Sequence, residues 1–470
     1  MIRARARWLT SALSLAAILA APAGSMAQPT AADPMAPRTP LAAPKTLPFR
    51  TPEPILQREI TVDEAIAYAL ENQPRIVQAL SNWLAANERT LQALSPLLPQ
   101  LSGLGRLSYG GERARVTVDN TGSSTIRTRT SAGSATITAS QLIFDFGKNW
   151  AGRDAAKADA EFLREQVELQ KDLIVLAVKE SYLNQLLAAR LVVVNAQALE
   201  RAELNLRSAK GFFEVGTRPK SDVTRAEVDV ANARVDLIRA QNAVSLARIA
   251  LNTAMGVAID SPTRLVDILG YQKFEVDRDT LVAESLRRRP EYRQSKFQVD
   301  AAEARVRQAF RNFWPDLVGI GTYGISDTRV NTLNGGVVNT NDPEWSVALE
   351  LRWSIFDGGF KIFRYRETQA LRDAAVANVR ATELQVWQEV EQAHVSLIEA
   401  EQRIFAAQKA VESAQENFRL AQGRFDAGVG TIIDLTDAQL ALTQAQAQEV
   451  QALTDHRLAF ARLERSVGRR

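Results

Sequence analysis

The 470-residue chain has no cysteine. That excludes disulfides, thiolate chemistry and cysteine metal sites, and it leaves no residue to carry a lipid at a mature N-terminus. Only two histidines occur, His394 and His456, far apart in helical text. A zinc centre needs three or four convergent ligands, so no metal is expected and both read as helix-packing or surface residues. Phosphate loops, nucleophile motifs and metal spacings are also lacking, so neither an enzyme nor a cofactor is expected. After the first residues no long uncharged apolar run appears, which argues against a transmembrane helix. Net charge nearly vanishes as well. The formal charge is +3, but residues 1–27 hold three arginines and no acid, so the rest of the chain is neutral. The basic balance therefore gives no footing for a nucleic-acid partner.

What is present begins with three arginines, an apolar stretch from Leu9 to Ala20 too short to span a bilayer, and Ser25-Met26-Ala27 at a small-residue cleavage position. This predicts a secretory signal over 1–27, removed after Ala27. Residues 28–58 are proline-dense and read as an extended, poorly ordered leader, or alternatively as a docking arm.

The remainder is duplicated. "FEVGTRPKSDVTRAEVDVANA" from Phe213 and "FDAGVGTIIDLTDAQLALTQA" from Phe425 align Phe, Gly, Asp and Ala at a constant offset of 212 residues. Upstream, Pro74 and Pro99 match Pro290 and Pro315 at an offset of 216. The first copy is thus longer between Pro99 and Phe144, where a surface loop is expected because loops tolerate length changes. The repeats are read as 59–258 and 279–470, joined by a connector over 259–278. In each copy a short helix runs between the prolines, and strand-like text follows. "WSVALELRWSIF" is the clearest: Trp345, Val347, Leu349, Leu351 and Trp353 alternate with Ser346, Ala348, Glu350, Arg352 and Ser354. "DLVGIGTYGIS", "LSGLGRLSYGG" and "SATITASQLIF" are the other strand candidates. Residues 110–130 and 324–342, rich in Gly, Asn, Thr and Ser, read as loops.

Long helices come next. Lys148–Lys210 and Phe360–Gln422 are each about 63 residues, or roughly 95 Å. After each turn a helix of about 39 residues returns, so the two shorter helices stacked end to end could flank the long one over its whole length. Val390, Leu397, Ile404, Val411 and Phe418 recur every seven residues, with Ile398 and Phe405 beside them. Val178, Gln185, Val192, Leu199 and Leu206, with Leu186 and Val193, are the first-copy equivalents. Heptads predict left-handed coiled-coil packing. The fold class is therefore mainly α with a membrane β part. Four strands cannot close a membrane barrel, for which eight is the practical minimum, so an exported chain carrying them must oligomerise.

These features together resemble the TolC family of trimeric outer-membrane channel-tunnels. The carriers are the duplication, "FDFG" and "FDGG" at the strand-to-helix joins, and the paired turns, over about residues 59 to 468. The resemblance implies a homotrimer with a twelve-stranded barrel in the lipid of a Gram-negative outer membrane, continued by a periplasmic α-helical tunnel. It implies multidrug efflux or type I secretion with two partners, a periplasmic adaptor and an inner-membrane transporter of ABC or RND type. The turns would be the tunnel's periplasmic tips. Asp434 and Asp437 match positions that ring the entrance, while helix capping is the competing reading of either acid. Asp222 and Arg225 are their first-copy equivalents. Val215, Gly216, Thr217 and Gly428 match tip positions that adaptors touch. Trp345, Val347, Leu349, Leu351 and Trp353 would face lipid. The chain also departs from the family pattern. Phe425 and Gly430 stand where a Tyr and an Arg help to lock the entrance, and Arg218 occupies the equivalent place in the first copy. A periplasmic coiled-coil adaptor or scaffold that binds without conducting is the competing function.

Overall fold

The computed structural model describes residues 58–118, 122–274, 278–332 and 337–470. The expected signal, and the leader up to residue 57, lie outside them.

The first helical pair is α1 (Val62–Asn72) and α2 (Pro74–Gln92). Thr61 caps α1 through a reciprocal capping box with Glu64, and Pro74 opens α2 at its first turn, where a missing N–H costs nothing. A hairpin of β1 (Gln100–Val118) and β2 (Gly122–Phe144) follows, then α3 (Lys148–Glu214) and α4 (Lys220–Met255). The order then recurs: α5 (Arg278–Arg288), α6 (Pro290–Arg311), β3 (Asp316–Thr332), β4 (Val337–Arg352), α7 (Phe360–Asp426) and α8 (Ile432–Val467).

The four strands form one antiparallel sheet in the order β1-β2-β3-β4, so β1 and β4 are its outer strands. At the "FDFG" join the Asp145 carboxylate accepts from the backbone N–H of Gly147 (2.9 Å) and Asn149 (2.7 Å). It thereby satisfies free donors at the start of α3 as the strand becomes helix.

Each long helix packs against the shorter helices of its own half: α3 on α2 and α4, α7 on α6 and α8. The α3 helix also meets α6 and α8, which joins the halves. Polar pairs mark that contact, with Lys179 to Glu464 at 2.7 Å, Arg201 to Gln446 at 3.2 Å and Asn205 to Gln439 at 2.6 Å. The largest core cluster surrounds Ile60, Tyr182, Leu251 and Met255. The connector folds back onto it, with Ile60 bridging Leu265 and the Tyr182 hydroxyl donating to the Val266 carbonyl at 2.7 Å. Near the start of α6 the buried Arg289 guanidinium reaches Glu291 (2.8 Å) and Glu389 (2.6 Å).

Several expectations need correction. The glycine- and threonine-rich stretches 110–130 and 324–342 are not loops: the strands continue to Val118, from Gly122, to Thr332 and from Val337. A ladder is held by backbone hydrogen bonds and tolerates polar side chains on both faces, and β-branched threonine favours it. The extra length of the first copy goes largely into a taller hairpin, β1 having 19 residues against 17 in β3. In the other direction β4 stops at Arg352, so Trp353 lies outside the strand. Asp316 pairs Arg352, which leaves Pro315 next in line, and proline has no N–H to extend the ladder. The Trp353 indole instead donates to the Phe313 carbonyl at 3.1 Å. The long helices run one turn further than expected, to 67 residues each, and the returning helices are 36 residues long.

The heptad seam also differs between halves. Val390, Leu397 and Ile404 are buried, whereas Ile398 and Phe405 are exposed in the single chain. In α3 the buried positions beyond Leu186 are Ala188, Val194, Ala198, Ala202, Asn205 and Ala209, while Val192, Leu199 and Leu206 are half-buried and Val193 is exposed. Small residues there let neighbouring helices approach closely.

Candidate functional site: paired helix turns and an exposed sheet face

Both tip turns end a long helix by the same device. Gly216 and Gly428 have φ of +75° and +79°, the left-handed conformation that side chains disfavour. The next amide folds back onto the helix: Thr217 N–H donates to the Phe212 carbonyl at 2.9 Å, and Val429 N–H to that of Arg424 at 3.0 Å. The recurrence of Phe, Gly and Asp is thus the signature of a helix stop followed by a helix start. Two valines crown the tips, Val215 at 71% and Val429 at 78% exposure. Val429, which aligns with Thr217 of the first copy, is not among the tip positions that the sequence offers.

Phe425 is fully buried, edge-on to Phe212 with ring centroids 5.7 Å apart, among Ala421, Ile432, Leu435 and Ala438. Gly430 is a close approach: a Cβ there would sit 3.0 Å from the Arg424 backbone carbon and the Phe425 nitrogen. A larger residue at this position forces the turn to shift. Arg218 spans the two turns. Its Nη2 donates to the Gly430 carbonyl at 2.6 Å, and its guanidinium lies 4.9 Å from the Phe425 ring centroid. The Asp222 carboxylate is 3.9 Å away. One cation from the first turn therefore grips the second through hydrogen bond, cation–π contact and a nearby acid.

The two acids of the second turn separate. Asp434 is in a capping box: its N–H donates to Thr431 Oγ1 at 3.1 Å, while its carboxylate accepts from the Thr431 hydroxyl (2.7 Å) and backbone N–H (3.3 Å). These bonds, the hydroxyl's first, hold its carboxyl below the usual carboxylate range. Asp437, one helical turn on, is exposed and has no hydrogen-bond or ion-pair partner among the described residues. Arg225, its first-copy equivalent, is likewise exposed without a partner. Behind the turns Thr436 donates to Asp229 at 3.0 Å, tying α8 to α4. No cluster of side chains suited to a metal occurs among the described residues.

At the other end, cross-strand partners share a face of the sheet. Trp345, Val347, Leu349 and Leu351 stand opposite Tyr323, Gly321, Gly319 and Leu317. Trp345 is 73% and Val347 80% exposed. The same face continues through Ile325 and, in the first copy where the alternation is weaker, through Ile137, Ala139, Leu101, Leu107 and Tyr109. The opposite face is mostly polar, with Ser346, Glu350, Thr322, Thr138, Ser134 and Ser102 beside Leu104, Val318 and Ile320. Leu317 to Ile325 spans eight residues, about 27 Å along the strand and roughly 20 Å along the normal at a barrel tilt near 40°. That matches a membrane barrel's apolar band of about 25 Å. No described helix is long and apolar enough to cross a membrane.

The sequence pattern of the family described as "Outer membrane efflux protein" matches residues 65–257 and 281–469. Among characterised relatives, the Nodulation protein T of Rhizobium leguminosarum bv. trifolii is 23% identical over 411 residues, covering 87% of this chain and 84% of that one. The Outer membrane protein TolC of Escherichia coli (strain K12) is 24% identical over 385 residues, covering 80% and 75%. In fold, the Campylobacter jejuni CmeC outer membrane channel superposes with a TM-score of 0.72 at 18% identity, over 87% of this chain and 85% of that one. A helical body with a four-stranded sheet at one end, matched by this family over most of its length, places the chain in the outer membrane efflux protein family, whose members are outer-membrane channels with a periplasmic helical tunnel.

Proposed function

We propose that three copies of this chain form the exit duct of a tripartite exporter, working with a periplasmic adaptor and an inner-membrane transporter of ABC or RND type. The observation that carries this reading is the sheet: one apolar face, one polar face and two outer strands, joined directly to coiled coils. Three such sheets give twelve strands, enough to close a barrel with the apolar face on lipid and the polar face on a wet lumen. Trp345, Val347, Leu349 and Leu351 then face lipid, with Trp353 just below the strand.

The turns at the far end are the entrance. Asp437, exposed and unpartnered, projects a carboxylate from each chain toward the axis, with Asp434 beside it as the helix cap. Arg218 replaces the missing Tyr and Arg of the family pattern, holding Phe425 and Gly430 from the opposite turn and keeping each chain's two hairpins together. Val215, Gly216, Thr217, Gly428 and the exposed Val429 form the adaptor-facing tips. Export begins with the signal over 1–27.

The test is fractionation and assembly. The protein should sediment with outer membranes, resist salt extraction, and run as a trimer that heat dissociates. A salt-extractable periplasmic monomer would instead support the adaptor or scaffold reading.

A further inference from the structure

Beyond the apolar edge of the sheet, charge is sorted by face. On the apolar side β3, β2 and β1 carry Arg329, Arg129 and Arg113, all exposed. The register puts each one row further along than the last. Ser131 pairs Arg329 and Tyr109, Arg129 pairs Asn331 and Gly111, and Arg113 pairs Arg127. The last apolar residue steps in the same direction, from Ile325 on β3 to Tyr109 on β1. Arg329 and Arg113 each lie four residues beyond it, and Arg129 lies four residues from Gly133 on the intervening strand. The three arginines therefore trace a line parallel to the apolar edge, about 14 Å beyond it along the strands and roughly 10 Å along the normal of a tilted barrel. Successive members are diagonal neighbours about 7–8 Å apart.

The opposite face at these levels has Glu112, Asp342 and Glu344 with one cation, Arg106. On the arginine face the single acid among the described strand residues is Asp327, and Arg329 Nε is held by Asn339 at 3.1 Å. One further point favours an external counter-charge. All of these cations are arginines, whose planar fork matches phosphate bidentately and is more easily desolvated than lysine.

Each hairpin joins the helices at its other end, β1 following α2 and β2 leading into α3, and the helical part of this family is periplasmic, so the line lies on the external side of the membrane. We propose that Arg113, Arg129 and Arg329 form a phosphate-binding belt on the outer barrel wall that grips the phosphorylated glycolipid headgroups of the outer leaflet. This rests on the lipid-facing reading of the sheet. The belt anchors the trimer at a fixed height and surrounds it with bound glycolipid.

Purified trimers in detergent would be mixed with bisphosphorylated lipid A, with enzymatically dephosphorylated lipid A, or with bisphosphorylated lipid A plus millimolar inorganic phosphate. Native mass spectrometry would count the lipid retained per trimer. The expected result is retention of the bisphosphorylated form at least tenfold above the dephosphorylated form, unaffected by inorganic phosphate. The R113Q/R129Q/R329Q variant should lose it, and the triple lysine variant should keep part of it. Equal retention of the two lipids by the native protein overturns the belt, whatever the variants do. So does full retention by a glutamine variant that still forms trimers, and displacement by inorganic phosphate points to a free-anion site instead. Failure of the barrel reading is distinguishable, because the native protein would then form no heat-dissociable trimer in outer membranes.

Discussion

At the second tip turn, Asp434 and Asp437 sit one helical turn apart and are held differently. Asp434 is held in its capping box, whereas Asp437 is exposed with no partner among the described residues and, on the proposed reading, faces the entrance. Asp437→Asn should therefore weaken multivalent-cation block from the periplasmic side without altering the turn's hydrogen exchange. Asp434→Asn should raise exchange at the first amides of α8. The depressed carboxyl of Asp434 also sets a sign. Its stabilising bonds are fully present above the unfolded aspartate value near 4 and are lost as pH falls through its lower folded value, so acid should fray this helix start first. Arg218→Ala removes a charged donor from the Gly430 carbonyl, a loss of about 1.5–3 kcal/mol, and should loosen both tips together in hydrogen exchange. Unchanged exchange at the second turn would show that the clasp carries no load. The two acids were legible in the sequence as a pair, but their division was not. Capping depends on Thr431 being rotated onto Asp434, and one sequence does not show that. The role of Arg218 was legible only as a position, because its partner is a backbone carbonyl on the other turn.

Among the elements, the alternation from Trp345 to Leu351 marks the apolar face that the register assembles, whereas the strand ends at Arg352, one residue short of the Trp353 that continues the pattern. Leu349→Arg places a cation in the apolar band at about 2–4 kcal/mol per site. It should reduce outer-membrane trimers, while Glu350→Gln on the opposite face should assemble normally. Equal assembly of the two variants would mean the faces are reversed or the sheet is soluble. In the coiled coils, Ile404→Asp buries an unpaired charge in a seam whose apolar truncation alone costs about 2–5 kcal/mol. Gln408→Asp, exposed one turn away, should be far milder, and limited proteolysis of the trimer would rank them. The taller hairpins escaped the sequence reading because glycine and threonine are shared vocabulary of loops and of strands outside lipid. The alanine seam of α3 escaped it because small residues leave a weak heptad signal, though Ala202 and Ala209 are buried about as completely as Val390.

For the whole molecule, one chain holds a coiled-coil body with two clasped tips and a four-stranded sheet with one apolar face and two outer strands. The duplication and the helix lengths to within a turn were readable from offsets and proline placement. The arginine line was not, since it exists only in the register between strands. The central claim is that three chains make a conducting duct with an acidic periplasmic mouth. Purified trimers inserted in planar bilayers test it most directly, with single-channel current recorded while a trivalent cation is added to each side in turn. The account predicts a stable, cation-preferring conductance that is blocked from the periplasmic side alone, with the block weakened in Asp437→Asn. Trimers that insert but pass no current, or that are blocked equally from both sides with no effect of Asp437→Asn, would contradict it.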